Sequence, residues 1–162
     1  MVELDFNFII EFGKRINKLD DIEINSLINL PYKFIKKDLP LLFKNNEFQI
    51  IAEKIIGKPI VKDKHKIINF ALWVSDELKK INENEKVLSS DPEPEMIAAG
   101  INKLDVFDIY GVARGLTNDI LKVNEILEMP YSDVFMALYY NKTTNDIQKN
   151  YSEIIRKKKK KK

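Results

Sequence analysis

The stretch Lys64-His65-Lys66-Ile67-Ile68-Asn69-Phe70-Ala71-Leu72-Trp73-Val74-Ser75-Asp76-Glu77-Leu78-Lys79-Lys80-Ile81-Asn82-Glu83-Asn84-Glu85-Lys86-Val87-Leu88 decides the fold class. Its apolar residues Ile67, Ala71, Val74, Leu78, Ile81 and Leu88 recur at alternating steps of four and three, the spacing that gathers side chains on one face of an α-helix. Glu85 alone breaks the stripe, standing where the pattern calls for another apolar residue. The repeat spans only about three heptads, so it predicts a face turned to a core rather than a coiled coil.

On its N-terminal side, Phe48, Ile51, Ala52, Ile55 and Ile56 share a helical face, and Gly57 and Pro59 supply a stop signal. A helix is expected at 46–56. Residues 20–46 read as irregular, with short helical turns divided by Pro31 and Pro40, because each proline disfavours helical backbone in the residue before it. Within them, Leu30 to Pro40 combines large apolar groups with lysines, which suits a tight connection packed on the core, with a docking surface as the alternative. The first residues carry two patterns. Phe6, Ile9, Phe12, Ile16 and Leu19 form a helical stripe capped by Asp5, favouring a helix over 5–19; alternation from Val2 makes a short strand at 2–8 the alternative.

On its C-terminal side, Ser89-Ser90-Asp91-Pro92-Glu93-Pro94 is the candidate hinge, with Asp91 suited to start a helix carrying Met96, Ile97 and Ala99. Gly100, Gly111 and Gly115 predict turns or short helices between 100 and 116. Thr117 is placed to cap a helix bearing Ile120, Val123 and Leu127, ended by Pro130. A last helix from about Ser132 carries Val134, Phe135 and Leu138, then Ile147, Tyr151, Ile154 and Ile155. The polar Asn141-Lys142-Thr143-Thr144-Asn145 between these groups predicts a break or a departure from the core. The expected fold is thus mainly α: an irregular bundle of about six helices, in which an N-terminal part (1–90) and a C-terminal part (91–155) pack as one domain. No convincing internal repeat is read.

Charge sharpens this organisation. Arg156, Lys157, Lys158, Lys159, Lys160, Lys161 and Lys162 supply seven of the 27 basic residues; without them 20 basic residues face 25 acidic ones, so the net +2 hides a mildly acidic body. The run is expected to be a disordered basic extension, able to attract nucleic acid through phosphate neutralisation. There is no cysteine, which removes disulfides, thiolate metal sites and cysteine nucleophiles. No stretch approaches the roughly 18 apolar residues of a membrane helix, and Met1-Val2-Glu3-Leu4-Asp5 lacks the basic start of a secretory signal. A cytoplasmic protein is expected, with no membrane partner.

Catalytic chemistry has little to build on. His65 is the one histidine and stands among Lys62, Lys64 and Lys66, a setting that suggests a solvated turn, with no nucleophile pattern beside it that would make it a general base. The carboxylates of Asp91, Glu93, Glu95, Asp105 and Asp108 follow no calcium-loop pattern, and the glycines match no phosphate-binding loop. Trp73 lies inside the strongest helix, where packing explains it. No catalytic residue, metal or cofactor is expected.

Ala98-Ala99-Gly100-Ile101-Asn102-Lys103-Leu104, followed by Leu121-Lys122-Val123-Asn124-Glu125-Ile126-Leu127-Glu128-Met129-Pro130-Tyr131-Ser132-Asp133-Val134-Phe135-Met136-Ala137-Leu138, resembles tail-assembly chaperone-like proteins encoded among the structural genes of tailed bacteriophages. The resemblance covers residues 96–155. It implies a non-enzymatic role in virion morphogenesis, in the host cytoplasm or in the virion, with helix faces engaging a tail or other structural protein. A virion structural component fits it equally. Residues 1–60 and the lysine run lie outside the pattern. Tyr131, Phe135 and Leu138 are the candidate protein contacts under this reading, self-association is compatible with it, and the alternative is a nucleic-acid-associated protein using residues 156–162.

Overall fold

Two X-Pro-Tyr sequences, Leu30-Pro31-Tyr32 and Met129-Pro130-Tyr131, set the geometry of the molecule. Proline disfavours helical backbone in the residue before it, and Leu30 (ψ 158°) and Met129 (ψ 152°) are both extended. A helix begins at each tyrosine, and the first N–H groups of a helix have no acceptor within it. Each start supplies the other: Tyr32 N–H donates to the Met129 carbonyl at 2.8 Å, and Tyr131 N–H donates to the Leu30 carbonyl at 2.9 Å. This reciprocal pair forms an antiparallel bridge between Pro31 and Pro130. It ties the beginning of the first described helix to the beginning of the last.

The computed structural model describes residues 26–60, 64–89 and 92–160. The helix expected at 5–19, its strand alternative at 2–8, and Asp91 lie outside them. Among the described residues seven α-helices follow one another: α1 (Leu39–Lys44), α2 (Phe48–Ile56), α3 (Lys64–Glu85), α4 (Pro94–Ala98), α5 (Asp108–Leu116), α6 (Val123–Glu128) and α7 (Tyr131–Lys160). The chain is mainly α, as its periodicity requires.

The anchoring helices behave as their stripes predict. In α2, Phe48, Ile51, Ala52 and Ile55 are buried, and Gly57 ends the helix in the left-handed conformation (φ 75°), its N–H reaching the Glu53 carbonyl at 3.0 Å. In α3, Phe70, Ala71, Val74 and Ile81 are buried, while Ile67, Trp73 and Leu78 pack partly exposed against the same core. Trp73 stacks on Phe70 with ring centroids 6.1 Å apart. One apolar cluster joins these residues to Leu27, Ile35 and Leu39 on one side and to Ile109, Ala113, Ile126, Leu127 and Val134 on the other. Both sides of the Ser89-to-Pro94 segment therefore contribute to the same core.

Four local expectations are corrected or narrowed. Pro40 does not divide the chain: helix opens at Tyr32, passes through a π turn at Phe34–Asp38 closed by Leu39 N–H on the Phe34 carbonyl, and continues into α1 with Pro40 in its first turn. The widened turn lies directly before the proline, where the missing donor and the bulky ring have to be accommodated. Thr117 does not cap the next helix but follows the end of α5; the cap is Asp119, whose side chain accepts from Leu121 N–H at 3.0 Å at the head of a 3-10 turn, Ile120–Lys122. Of the break or departure from the core expected at 141–145, only the departure occurs: α7 continues unbroken, with Thr143 Oγ1 donating to the Tyr139 carbonyl at 2.9 Å and Lys142 paired with Asp146 at 2.7 Å one turn on, while Tyr140, Ile147 and Tyr151 are exposed. Finally, where disorder is expected from Arg156, α7 runs on to Lys160, with Lys157 set 3.8 Å from Glu153.

Candidate functional site

Glu85, the residue that interrupts the apolar stripe of α3, is the polar centre of the molecule. Its Oε2 accepts from Lys36 Nζ at 2.6 Å and its Oε1 accepts from Tyr131 Oη at 2.9 Å. The lysine comes from the π turn, the carboxylate from the end of α3 and the tyrosine from the first residue of α7. One partly buried carboxylate thus joins three elements that are far apart in sequence, and its two oxygens are each engaged.

The two tyrosines of the reciprocal bridge lie over one another, with ring centroids 6.1 Å apart and planes 15° from parallel. Phe135 stacks next at 6.1 Å from Tyr131, and Tyr139 at 6.4 Å from Phe135, so four rings form a ladder leading from the core to the surface along α7. Burial, then the charge of Glu85, then that of Asp108 push the Tyr32 hydroxyl up to about 12. Burial and the hydrogen bond to Glu85 hold Tyr131 well above the ordinary tyrosine range. Near neutrality both hydroxyls stay protonated and can only donate or accept hydrogen bonds; neither supplies a base or a phenolate nucleophile.

Beside this cluster opens a groove of about 1040 Å³, bounded by Tyr32 and Lys36, by the 3-10 turn Ile101–Phe107, by α5 and by the start of α6. Its walls are largely apolar. Leu104, Phe107, Tyr110 and Ile120 line it, and Val106 (79% exposed) and Leu121 (82% exposed) stand nearby in sequence. Gly111 faces the Phe107 side chain so closely that a methyl group there would sit 3.1 Å from Cβ of Phe107. Charges of both signs rim the groove: Lys36 and Arg114 against Asp105 and Asp108, while Lys37 Nζ lies 4.9 Å over the Tyr110 ring. Arg114 is steadied by a hydrogen bond to the Thr117 carbonyl at 2.6 Å.

Asp108 is also the point of greatest backbone strain on the groove wall. Its φ of 45° with ψ of −133° is a conformation that side chains other than glycine's resist. It stands where the 3-10 turn gives way to α5, turning the chain so that Phe107 and Tyr110 both border the groove. Such a turn cost is retained where surrounding packing fixes the local shape.

The residues expected as protein contacts lie on the side of α7 that faces the body. Tyr131 is 4% exposed and belongs to the core, and Phe135 and Leu138 pack partly buried against it. The exposed large apolar residues of that helix are others: Met136, Tyr139, Tyr140, Ile147, Tyr151 and Ile154. Arg156, Lys157, Lys158 and Lys159 are exposed at the distal end of α7. His65 lies in the exposed first turn of α3, and Glu93 and Glu95 are exposed about α4. Asp105 and Asp108, weighed in the sequence for metal chemistry, come together on the groove wall; among the described residues no cluster of three or more His, Cys, Asp or Glu groups is arranged to hold a metal ion. The groove has little regular sequence signal, because Leu104, Phe107 and Ile120 come from 3-10 turns, where neither the helical nor the strand period applies, and only the rest of its apolar lining comes from helices. Compared with protein families, curated proteins and solved structures, the chain matches none.

Proposed function

We propose that the chain is a non-enzymatic protein-binding module serving macromolecular assembly, and that the groove between the π turn and α5 receives the apolar face of a partner's helix. The single observation that carries this reading is the groove: about 1040 Å³, open, apolar along its length and rimmed by charges of both signs. Apolar walls supply affinity, and rim charges of both signs fix the direction in which a helix lies. The non-catalytic reading rests on the neighbouring cluster, where Glu85 is taken up by Lys36 and Tyr131 and where Tyr32 is held protonated. These groups tie three elements together, and among the described residues they supply no activated nucleophile beside the groove.

An assembly role of the kind performed by tail-assembly chaperones or virion components of tailed bacteriophages accords with the resemblance in residues 96–155. A photo-crosslinking amino acid at position 107, used in the native host, tests the reading. The expected result is one dominant crosslinked partner, lost on adding Tyr110→Asp. Crosslinking that is absent, or diffuse and indifferent to that charge, overturns it.

A second reading, sequence-independent contact with nucleic acid, is favoured by one observation: Arg156, Lys157, Lys158 and Lys159 are all exposed on the last turns of α7.

A further inference from the structure

The apolar surface of α7 changes sides along its length. In the first turns, Tyr131, Val134 and Leu138 face the core. Continued at the same helical spacing, that face carries Asn141, Lys142, Asn145, Lys149 and Ser152, and Lys149 reaches Glu93 at 3.2 Å. Met136, Tyr140, Ile147, Tyr151 and Ile154 lie roughly on the opposite side, separated by steps of four, seven, four and three, and all are exposed. An apolar row this long, on a helix of about 45 Å, is left without a partner among the described residues.

We propose that this row pairs with the same row of a second copy of the chain, antiparallel, about a two-fold axis at Ile147. The spacing of the residues selects this occupant. Asp133, Tyr140, Ile147 and Ile154 stand seven apart. A two-fold axis at Ile147 sets Ile147 against its own copy, Tyr140 against Ile154, the large Tyr151 against the small Thr143, and Met136 against the aliphatic stem of Lys158, whose charge then lies one turn from the acidic Asp133. Thr143 needs no polar partner across the interface, since its hydroxyl already donates to the Tyr139 carbonyl. A parallel arrangement would instead place the two lysine runs side by side, where like charges repel. Two tyrosines, two isoleucines and a methionine, each at least half exposed, offer on the order of 600 Å² per copy, about what the smaller specific interfaces bury. This inference is independent of the groove.

The chain has no cysteine, so single cysteines report geometry without background. Sedimentation velocity of the full chain over a concentration series is expected to show a monomer–dimer equilibrium. Ile147→Asp, and separately Tyr140→Asp, should weaken it by about 100-fold, because each variant places a charge in both halves of an apolar seam; helix content by circular dichroism should be unchanged at these exposed positions. Under mild oxidation Ile147→Cys should crosslink to itself, and Tyr140→Cys to Ile154→Cys in mixed samples but not to itself. A chain that stays monomeric up to its solubility limit overturns the proposal, including the case in which it floats with anionic vesicles or holds a different protein through this row. Self-crosslinking of Tyr140→Cys overturns the antiparallel arrangement.

Discussion

Tyr131 Oη donates to Glu85 Oε1 at 2.9 Å, joining the end of α3 to the first residue of α7 across 46 positions of sequence. Because the other carboxylate oxygen holds Lys36 at 2.6 Å, removing the carboxylate strands two groups at once. Glu85→Ala is expected to lower unfolding free energy by about 2–4 kcal/mol, reflecting a lost charge-assisted pair and a partly buried hydroxyl left without its acceptor. Tyr131→Phe removes one bond and keeps the ring stack, so about 1 kcal/mol is expected. Urea titrations of both variants and of the double variant measure this; a coupling near zero would show that Glu85 and Tyr131 act separately.

The same node makes stability depend on alkaline pH. The Tyr32 hydroxyl is raised from 10.0 to about 12, so between those values the folded chain keeps a proton that the unfolded chain has lost. Stability is then fully present below pH 10 and falls as pH rises toward about 12. Tyr131, raised in the same direction, adds to the loss. Thermal melts at increasing pH should show a steeper alkaline decline for the parent chain than for Tyr32→Phe, and tyrosinate absorbance should report a late-titrating group that the variant lacks. Parallel declines would show that Tyr32 is as accessible to base as an ordinary tyrosine.

How much of this was legible beforehand depended on the period of each element. The stripes of α2 and α3 were readable because a helix buried on one side repeats at 3.6 residues, and Gly57 marked a stop that its left-handed backbone requires. The exception in α3 was informative too: Glu85 breaks the stripe where two partners from distant sequence arrive. Pro40 misled because a π turn accommodates it, and no residue pattern announces such a turn. Thr117 and Asp119 both have capping chemistry; which one caps is decided by backbone geometry, with Thr117 Oγ1 instead accepting from Asp119 N–H at 3.1 Å. Leu30-Pro31-Tyr32 and Met129-Pro130-Tyr131 are a short pair of like sequences whose relation becomes visible only when they meet. The groove was not legible, and neither was the exposed row of α7, because apolar spacing alone does not say which side of a helix has a neighbour.

The strained turn at Asp108 yields a third prediction. Glycine adopts φ 45°, ψ −133° without the side-chain penalty, whereas alanine keeps the penalty and loses the acidic charge from the first turn of α5. Asp108→Gly should therefore be more stable than Asp108→Ala by about 1–3 kcal/mol. Both should bring the Tyr32 hydroxyl back toward its ordinary range, since both remove the same charge. Chemical denaturation together with tyrosinate titration separates the two effects. Equal stabilities would mean that the backbone relaxes at this turn rather than storing strain.

The lysine run gives the last prediction, which concerns salt. Arg156 and the six lysines after it carry seven positive charges beyond a body in which acidic residues outnumber basic ones. If all seven meet phosphates on a duplex, the slope of log affinity against log salt is at most about 6 in magnitude. Weak binding at low salt, lost by physiological salt, is expected for the full chain, and deletion of residues 156–162 should abolish it at every salt concentration. The acidic body predicts this directly, because it opposes the approach of phosphate everywhere except near the run. Affinity that survives both the deletion and the salt series would place the contact elsewhere, with Lys36, Lys37 and Arg114 around the groove the next positive groups to test.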